Sequence, residues 1–455
     1  MANVVLLISD EHNPFYSSVY GHPFVQTPAM DRLAANGVVY DSAYCPSPLC
    51  TPSRSAFMSG RRVHEIQAYS NCTIGVDPDI PTYGGALSEQ GVYSVHVGKT
   101  HVFAPSGDLG FSEVRLGGRD RGAGDPEIGR RPFRIRRAAA ERASQFGVNE
   151  PHLRLDLDRV DTAVDWLTHT APSMGRPWTL TVNVIHPHFP HYTSQELWDL
   201  YPQGGDLPEY GADEETAGHP RALEVREHFQ TDRFTEDQVR GQRRGYLACV
   251  TFVDRQLARL VEVLQAAGIY DDTNVIYTSD HGEMLGKFGM WWKCSLYEDA
   301  SRIPCIAAGP DFSSGSQVTT PVDLHDVQAS LFASTDAERP EDWAGRPLQN
   351  VPATDDQRVV FSEYHGHGAR HSAFMIRKGK WKYIHHVDAP HQLFDLARDP
   401  DELKNVCEAH PAVVAELERE LRTICDPEAE NDRADRFIEA QLESMASADS
   451  MASAD

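Results

Sequence analysis

Three short segments carry the residues able to do chemistry. Ile8-Ser9-Asp10-Glu11-His12 and Thr278-Ser279-Asp280-His281-Gly282-Glu283 each end an apolar run, and Cys50-Thr51-Pro52-Ser53-Arg54 lies between them. Taken singly, Asp10 and Asp280 suit helix N-caps. Gathered on one sheet edge, Asp10, Glu11 and Asp280 repel one another unless a cation sits among them. Three carboxylates with His281 suit a divalent ion. Oxygen ligation favours calcium or magnesium, and the imidazole tolerates manganese. Pro52 fits a first helical turn and Gly60 a helix stop, so Cys50 falls at a helix N-terminus, where the dipole favours anions. Arg54 lies one turn on, on the same face. A cysteine so placed is either a buried structural thiol or a nucleophile.

Positioning such residues takes strands that end side by side. Val4–Ile8, Tyr93–Val97, Trp178–Val184, Asn274–Thr278 and Ile303–Ala308 read as buried strands. Helical patterns alternate with them at Ala29–Asn36, Asp158–His169 and Thr235–Ala267. In the last, Leu247, Val250, Val253, Leu257, Leu260 and Leu264 fall at helical spacing. This alternation predicts an α/β fold, a large mostly parallel sheet sandwiched by helices. Ligands in such folds bind at the carboxyl ends of the strands, where the three segments fall.

The pattern changes near residue 356. Arg358–Tyr364, Ala373–Arg377, Trp381–His385 and Leu393–Leu396 read as short strands joined by turns, followed by a helix from His410 to about Thr423. We therefore expect a catalytic domain over 1–355, a small antiparallel sheet with one helix over 356–425, and a helical or disordered tail over 426–455. That tail repeats SMASAD at 444–449 and 450–455, small and polar residues that build no core.

Composition narrows the function. The chain has 455 residues, 40% of them hydrophobic, and 42 Lys and Arg against 67 Asp and Glu give a net charge of −25. Such a surface repels phosphate backbones, which argues against nucleic-acid binding. No apolar run reaches the length of a membrane span. The first residues lack a basic n-region, a long h-region and a cleavage site, so a cytoplasmic protein is expected. Eight scattered cysteines without a C-x-x-C pair indicate neither a disulfide scaffold nor a zinc site.

The segment Cys50-Thr51-Pro52-Ser53-Arg54 with Gly60-Arg61 resembles the C-x-P-S-R signature of the type I, formylglycine-dependent sulfatases of the alkaline phosphatase superfamily. The resemblance continues in family order. It takes in Tyr20-Gly21, Thr27-Pro28-x-x-Asp31, Gly98-Lys99-x-His101, His186-Pro187-His188-x-Pro190, Ser279-Asp280-His281-Gly282, Lys293 and Leu393-Phe394-Asp395-Leu396. Gly282 to Pro304, with Trp291-Trp292, and Gly379-Lys380-Trp381-Lys382-Tyr383 are similar to choline-sulfatase-like members. The resemblance implies an alkaline-phosphatase-like fold and a sulfuric ester hydrolase. It implies a formylglycine made from Cys50 by a formylglycine-generating enzyme, and one divalent cation: calcium first, with manganese or magnesium as alternatives. It implies metal ligands Asp10, Glu11, Asp280, His281 and an oxygen of modified Cys50. Glu11 departs from the Asp of the family and the Gln of choline sulfatases. Arg54 and Lys99 would orient the hydrated aldehyde, His101 would take its second proton, and His188 and Lys293 would sit at the leaving oxygen. His186 would join Arg54, Lys99 and Lys293 in substrate binding. A phosphonate monoester or phosphodiester hydrolase using the same site is the alternative.

The substrate side is less defined. A small-molecule or saccharide sulfate ester is expected as the partner, and a homo-oligomer is compatible with the sequence. Trp291 and Trp292 would offer aromatic faces to choline or lie in the core. Residues 115–142 hold nine arginines against four acids. They read as a loop paired to acidic neighbours or as a site for a second negative charge. His365, His367 and His371 are candidates for the pocket rim.

Overall fold

The computed structural model describes residues 1–71, 79–102, 109–117, 126–201 and 205–452. Its centre is an eight-stranded sheet. In spatial order the strands are Ser316–Val318, Gly37–Tyr40, Cys305–Ala308, Thr273–Ser279, Asn3–Asp10, Trp178–Pro187, Tyr93–Gly98 and Glu113–Arg115. All run in one direction except Cys305–Ala308, which is antiparallel to both neighbours. The expected single strand Ile303–Ala308 is divided at Pro304, which has no N–H to give a ladder. Arg302–Ile303 pairs with Ala43–Tyr44 in a separate small sheet.

The first strand is central. It pairs in parallel with Thr273–Ser279 on one side and Trp178–Pro187 on the other, with Ser9 opposite Ser279 and Asp10 opposite Pro187. Strands buried on both faces carry continuous apolar runs, as Val4 to Ile8 does. Helices cover both faces. Glu236–Ala266 begins at a capping box, with the Thr235 hydroxyl accepting from Gln238 N and the Gln238 side chain accepting from Thr235 N, and it buries Leu247, Val250, Val253, Leu257, Leu260 and Leu264. Arg154–His169 packs beside it on the same face. Cys50–Ser59 and Leu324–Thr335 cover the other.

The last third forms a four-stranded antiparallel sheet, Val359–Tyr364, Ala373–Lys378, Trp381–His386 and Gln392–Asp395. Leu417 and Leu421 of helix Pro411–Ile424 pack on its Phe361, Phe374, Ile376, Tyr383 and Leu393. A buried ion-pair cluster joins this sheet to the rest: Lys382 Nζ lies 2.9 Å from Glu298 and 2.8 Å from Glu402. A final helix spans Pro427–Ala452 and packs Ile438 and Met445 against Ile128. Among the described residues, no helix is long and apolar enough to cross a membrane.

Candidate active site

The carboxyl ends of the central strands bring the three segments together. Asp10 ends the first strand, and Asp280 follows Ser279 on its neighbour. Glu11 turns the chain with a φ of 69°, a left-handed conformation unusual for glutamate. Two contacts hold that turn. Glu11 N donates to Asp280 Oδ1 at 3.1 Å, and the Tyr246 hydroxyl donates to Glu11 O at 2.8 Å.

Helix Cys50–Ser59 points its first residue at this edge and ends at Gly60, whose φ of 67° provides the left-handed stop. Cys50 Sγ lies 3.1 Å from His281 Nε2, 3.3 Å from Lys293 Nζ and 3.7 Å from Asp10 Oδ1. Arg54 spreads its guanidinium over Asp280 Oδ2 at 2.8 Å, Asn183 Oδ1 at 2.8 Å and Asp10 Oδ2 at 3.3 Å. Ser53 Oγ donates to Asp280 O at 2.6 Å. Lys99, just past the strand Tyr93–Gly98, forms an ion pair with Asp10.

Ligand atoms of Asp10, Cys50, Asp280 and His281 all lie within 4.8 Å of one another, and all four residues are buried. Two carboxylates, an imidazole and the side chain at position 50 suit a divalent cation. Glu11 stands apart from this set. With Asp10 and His188 it forms a second group. Its Oε2 meets Lys293 Nζ at 3.1 Å and His188 Nε2 at 3.2 Å. Glu283 lies against Glu11, and burial together with the Glu11 charge pushes the Glu283 carboxyl well up.

The surrounding charges set the protonation states. Burial works to raise Asp10, but Lys99 foremost, with Arg54 and Lys293, holds it well below the carboxylate range. Burial and Asp10 push the Cys50 thiol up, yet Lys293, Lys99 and His281 bring it below its ordinary value. His281 is raised to about 9: burial opposes, and the Asp280 and Cys50 charges outweigh it. Burial and Lys293 hold His188 well below the ordinary histidine value, with its Nδ1 at 2.5 Å from Phe189 O. Lys293 is pushed up: burial opposes, but Cys50, Glu11 and Asp10 outweigh it.

His101 shares the loop of Lys99, half-buried, with a φ of 51°. His186 lies at the end of the strand Trp178–Pro187. It is buried, its Nδ1 lies 2.6 Å from Asp156 Oδ2, and its ring meets Phe252 of the long helix. Asp156 also accepts from Ile185 N and His186 N at 2.8 Å, so the pair anchors the turn that presents His188. Trp291 and Trp292 are both buried. His365 is bound by Glu363 and Ser372, and His371 pairs with Asp388. Only His367 of that trio nears the site, with Nε2 3.6 Å from the sulfur of Cys294, the neighbour of Lys293.

Most of the arginine-rich segment serves structure. Arg130 and Arg131 pair with Asp435 of the last helix, and Arg136 and Arg137 pair with Glu127. Arg119 and Arg121 lie outside the described residues. Arg142 differs, stacking on Phe189 and Trp292. Asn183, Asp156 and Tyr246 are neighbours of the site that the sequence reading did not single out.

The Sulfatase family model matches residues 2–337, and a model described as N-sulphoglucosamine sulphohydrolase, C-terminal, matches residues 286–426. Choline-sulfatase of Rhizobium meliloti (strain 1021) is 30% identical over 425 residues, covering 89% of this chain and 82% of that protein. Arylsulfatase K of Xenopus laevis is 28% identical over 460 residues, covering 93% of this chain and 82% of its own. The crystal structure of phosphonate monoester hydrolase of Agrobacterium radiobacter shares the fold. Its TM-score is 0.74 at 20% identity, over 93% of this chain and 95% of that one.

Proposed function

The chain belongs to the sulfatase family and is a sulfuric ester hydrolase, and we propose that Cys50, converted to formylglycine, is its nucleophile. The observation that carries this reading is the placement of Cys50 Sγ between His281 Nε2 at 3.1 Å and Lys293 Nζ at 3.3 Å, at the start of a helix. Sγ marks where the oxygens of a hydrated aldehyde would stand. Such a diol supplies one hydroxyl for attack at sulfur and a second whose deprotonation expels sulfate. Asp10, Asp280, His281 and an oxygen at position 50 would hold one divalent cation, calcium on the oxygen-rich donor set. Glu11 completes that set or, as its contacts favour, orients Lys293. When bound, the cation supplies Lewis-acid stabilisation of charge on the sulfuryl oxygens.

The chain's own residues do the rest. Arg54, Lys99 and Lys293 oppose Asp10, Glu11 and Asp280, three cations against three carboxylates. Adding a divalent cation leaves the centre positive, as a sulfate monoester anion requires. Arg54 has its donors committed to Asp280, Asn183 and Asp10, so it fixes the carboxylates. Lys99 and Lys293 have flexible stems and turn toward the sulfuryl oxygens. His188 and Lys293 meet at Glu11 and stand at the leaving oxygen. One of the two serves as acid and the other as cation. His101, on the Lys99 loop, is the base for the second hydroxyl.

Peptide mass spectrometry across Cys50 tests this, on protein made with a formylglycine-generating enzyme. The expected result is loss of about 18 Da at Cys50, the chemistry of thiol-to-aldehyde oxidation, together with release of sulfate from aryl sulfates. An unmodified thiol in active protein would refute the nucleophile. A higher kcat/KM on a matched phosphonate monoester would move the reading to the alternative.

A further inference from the structure

The loop that brings Lys293 to the site runs against its own backbone preferences. Between Met284 and Cys294, four residues other than glycine are left-handed: Leu285 with a φ of 45°, Phe288 with 55°, Trp292 with 64° and Cys294 with 76°. That region crowds Cβ against the backbone, so such residues persist only where their surroundings fix them. Phe288 N is held by Tyr210 O at 3.0 Å and Cys294 N by Pro48 O at 3.2 Å. The other two share one acceptor. Glu283 Oε1 accepts from Leu285 N at 2.8 Å and from Trp292 N at 2.5 Å, so a single oxygen ties both ends of the loop. The backbone closes beside it, with Met284 N donating to Trp292 O at 2.6 Å.

Glu283 is itself anchored. Its N donates to Asp299 O at 2.8 Å, and its O accepts from Asn13 Nδ2 at 2.9 Å. Glu283, Leu285 and Trp292 are all buried, so removing the shared oxygen leaves two N–H groups without an acceptor. The consequence lies one residue on. Lys293 leaves the chain between the left-handed Trp292 and Cys294, and its Nζ reaches Glu11 Oε2 at 3.1 Å and Cys50 Sγ at 3.3 Å. The direction in which the chain leaves Trp292 decides where that reach begins. Glu283 also follows Asp280 and His281 closely in sequence, so one short segment carries two candidate cation ligands and the anchor of the lysine loop.

We propose that Glu283 is a positioning residue for the reaction: its Oε1 holds the backbone of the Met284–Cys294 loop in the left-handed form that places Lys293 at the leaving oxygen. Its contribution is an oxygen acceptor for two N–H groups, not a charge at the reacting atoms. This deepens the reading of Lys293 at the leaving oxygen and rests on it.

The test uses matured full-length protein and two esters, 4-nitrophenyl sulfate with a good leaving group and phenyl sulfate with a poor one. The readout is kcat/KM, which reports cleavage of the ester bond. Glu283→Leu keeps the bulk but no acceptor. It should lower kcat/KM about 100-fold on phenyl sulfate and about tenfold or less on 4-nitrophenyl sulfate, because the poorer leaving group depends more on a group at its oxygen. A merely structural role would lower both by one factor. Glu283→Gln keeps an oxygen for both N–H groups and should stay within about threefold of the parent on each ester. Lys293→Ala should show the same dependence on leaving group, and Glu283→Leu added to it should cost little more. If Glu283→Leu does not fold, Glu283→Asp, whose oxygens stop one methylene short, supplies the same ratio. An equal loss on both esters, Glu283→Gln as slow as Glu283→Leu, or full additivity with Lys293→Ala would overturn this inference alone. Lys293→Ala without dependence on leaving group would overturn the placing of Lys293 and this inference with it.

Discussion

Arg54 Nε lies 2.8 Å from Asp280 Oδ2, and that one contact ties the helix bearing Cys50 to the strand end bearing the candidate cation ligands. The same side chain reaches Asp10 and Asn183. A lysine cannot span three acceptors at once. Arg54→Lys should therefore lower kcat by about 100-fold or more, the scale of losing pre-positioned electrostatics. Arg54→Met should also cost about 3–5 kcal/mol of stability, because buried Asp280 loses its paired cation and Asp10 keeps only Lys99. Steady-state kinetics and urea unfolding of both variants check this, and near-native kcat in Arg54→Lys would refute it.

Cation binding should release a proton. In the ion-free site His281 titrates near 9, with burial opposing and the Asp280 and Cys50 charges raising it. A metal ligand must be the neutral imidazole. Below about pH 9 each cation bound should then displace about one proton, and affinity should strengthen as pH rises toward that value. Calorimetric titration of calcium into unmatured protein, in two buffers of different ionisation heat, measures the proton count. A count of zero at pH 7 would exclude His281 as a ligand.

Asp156 predicts an acid-dependent contribution to stability. Burial works to raise it, but the His186 contacts and Arg159 lower it from 3.8 to about 2. A depressed carboxyl stabilises the fold above its unfolded value and loses that contribution as pH falls through its folded value. The window is thus 3.8 down to about 2, and the contribution is about 2 kcal/mol. Asp156→Asn should be less stable than the parent at pH 7, and the gap should close across that window. A gap unchanged between pH 5 and pH 2.5 would contradict the assignment.

Lys382 should behave as the bolt between the two sheets. It neutralises Glu298 and Glu402 in a dry cluster, and burial followed by the Glu298 charge raises Glu402 to about 7 despite Lys382. Lys382→Met should destabilise by about 3–5 kcal/mol, and Glu402→Gln added to it should recover part of that loss. Denaturant midpoints of the two variants decide it.

The strand-end chemistry was legible in the sequence because each apolar run announces its strand, and the polar residue after it must fall at the carboxyl edge. Asp10, Asp280 and the turn of Arg54 needed no more than that. Asn183 was not legible. It looks like any polar residue in a strand, and only its pairing with Ile8 and Gly98 brings it beside Arg54. Arg142 was read only as one of nine arginines. Its position depends on Gln242, a hundred residues later. His186 drew attention by its neighbours, although its partner Asp156 lies inside a helix with nothing local to mark it. Ile303–Ala308 was read as one strand because its apolar run is continuous, while Pro304 divides it between two sheets.

The central place of Asn3–Asp10 in the sheet has a consequence in time. Its two neighbours begin at Trp178 and Thr273, so the first strand made is among the last to be enclosed. About 230 residues separate Cys50 from the end of the Thr273–Ser279 strand, and at ~5–20 residues per second synthesis across them takes roughly 10–50 s. During that interval the thiol stands in an open chain. In the folded chain it is 1% exposed. If Cys50 is converted as proposed, chain order would set the interval in which a formylglycine-generating enzyme meets it in an open chain.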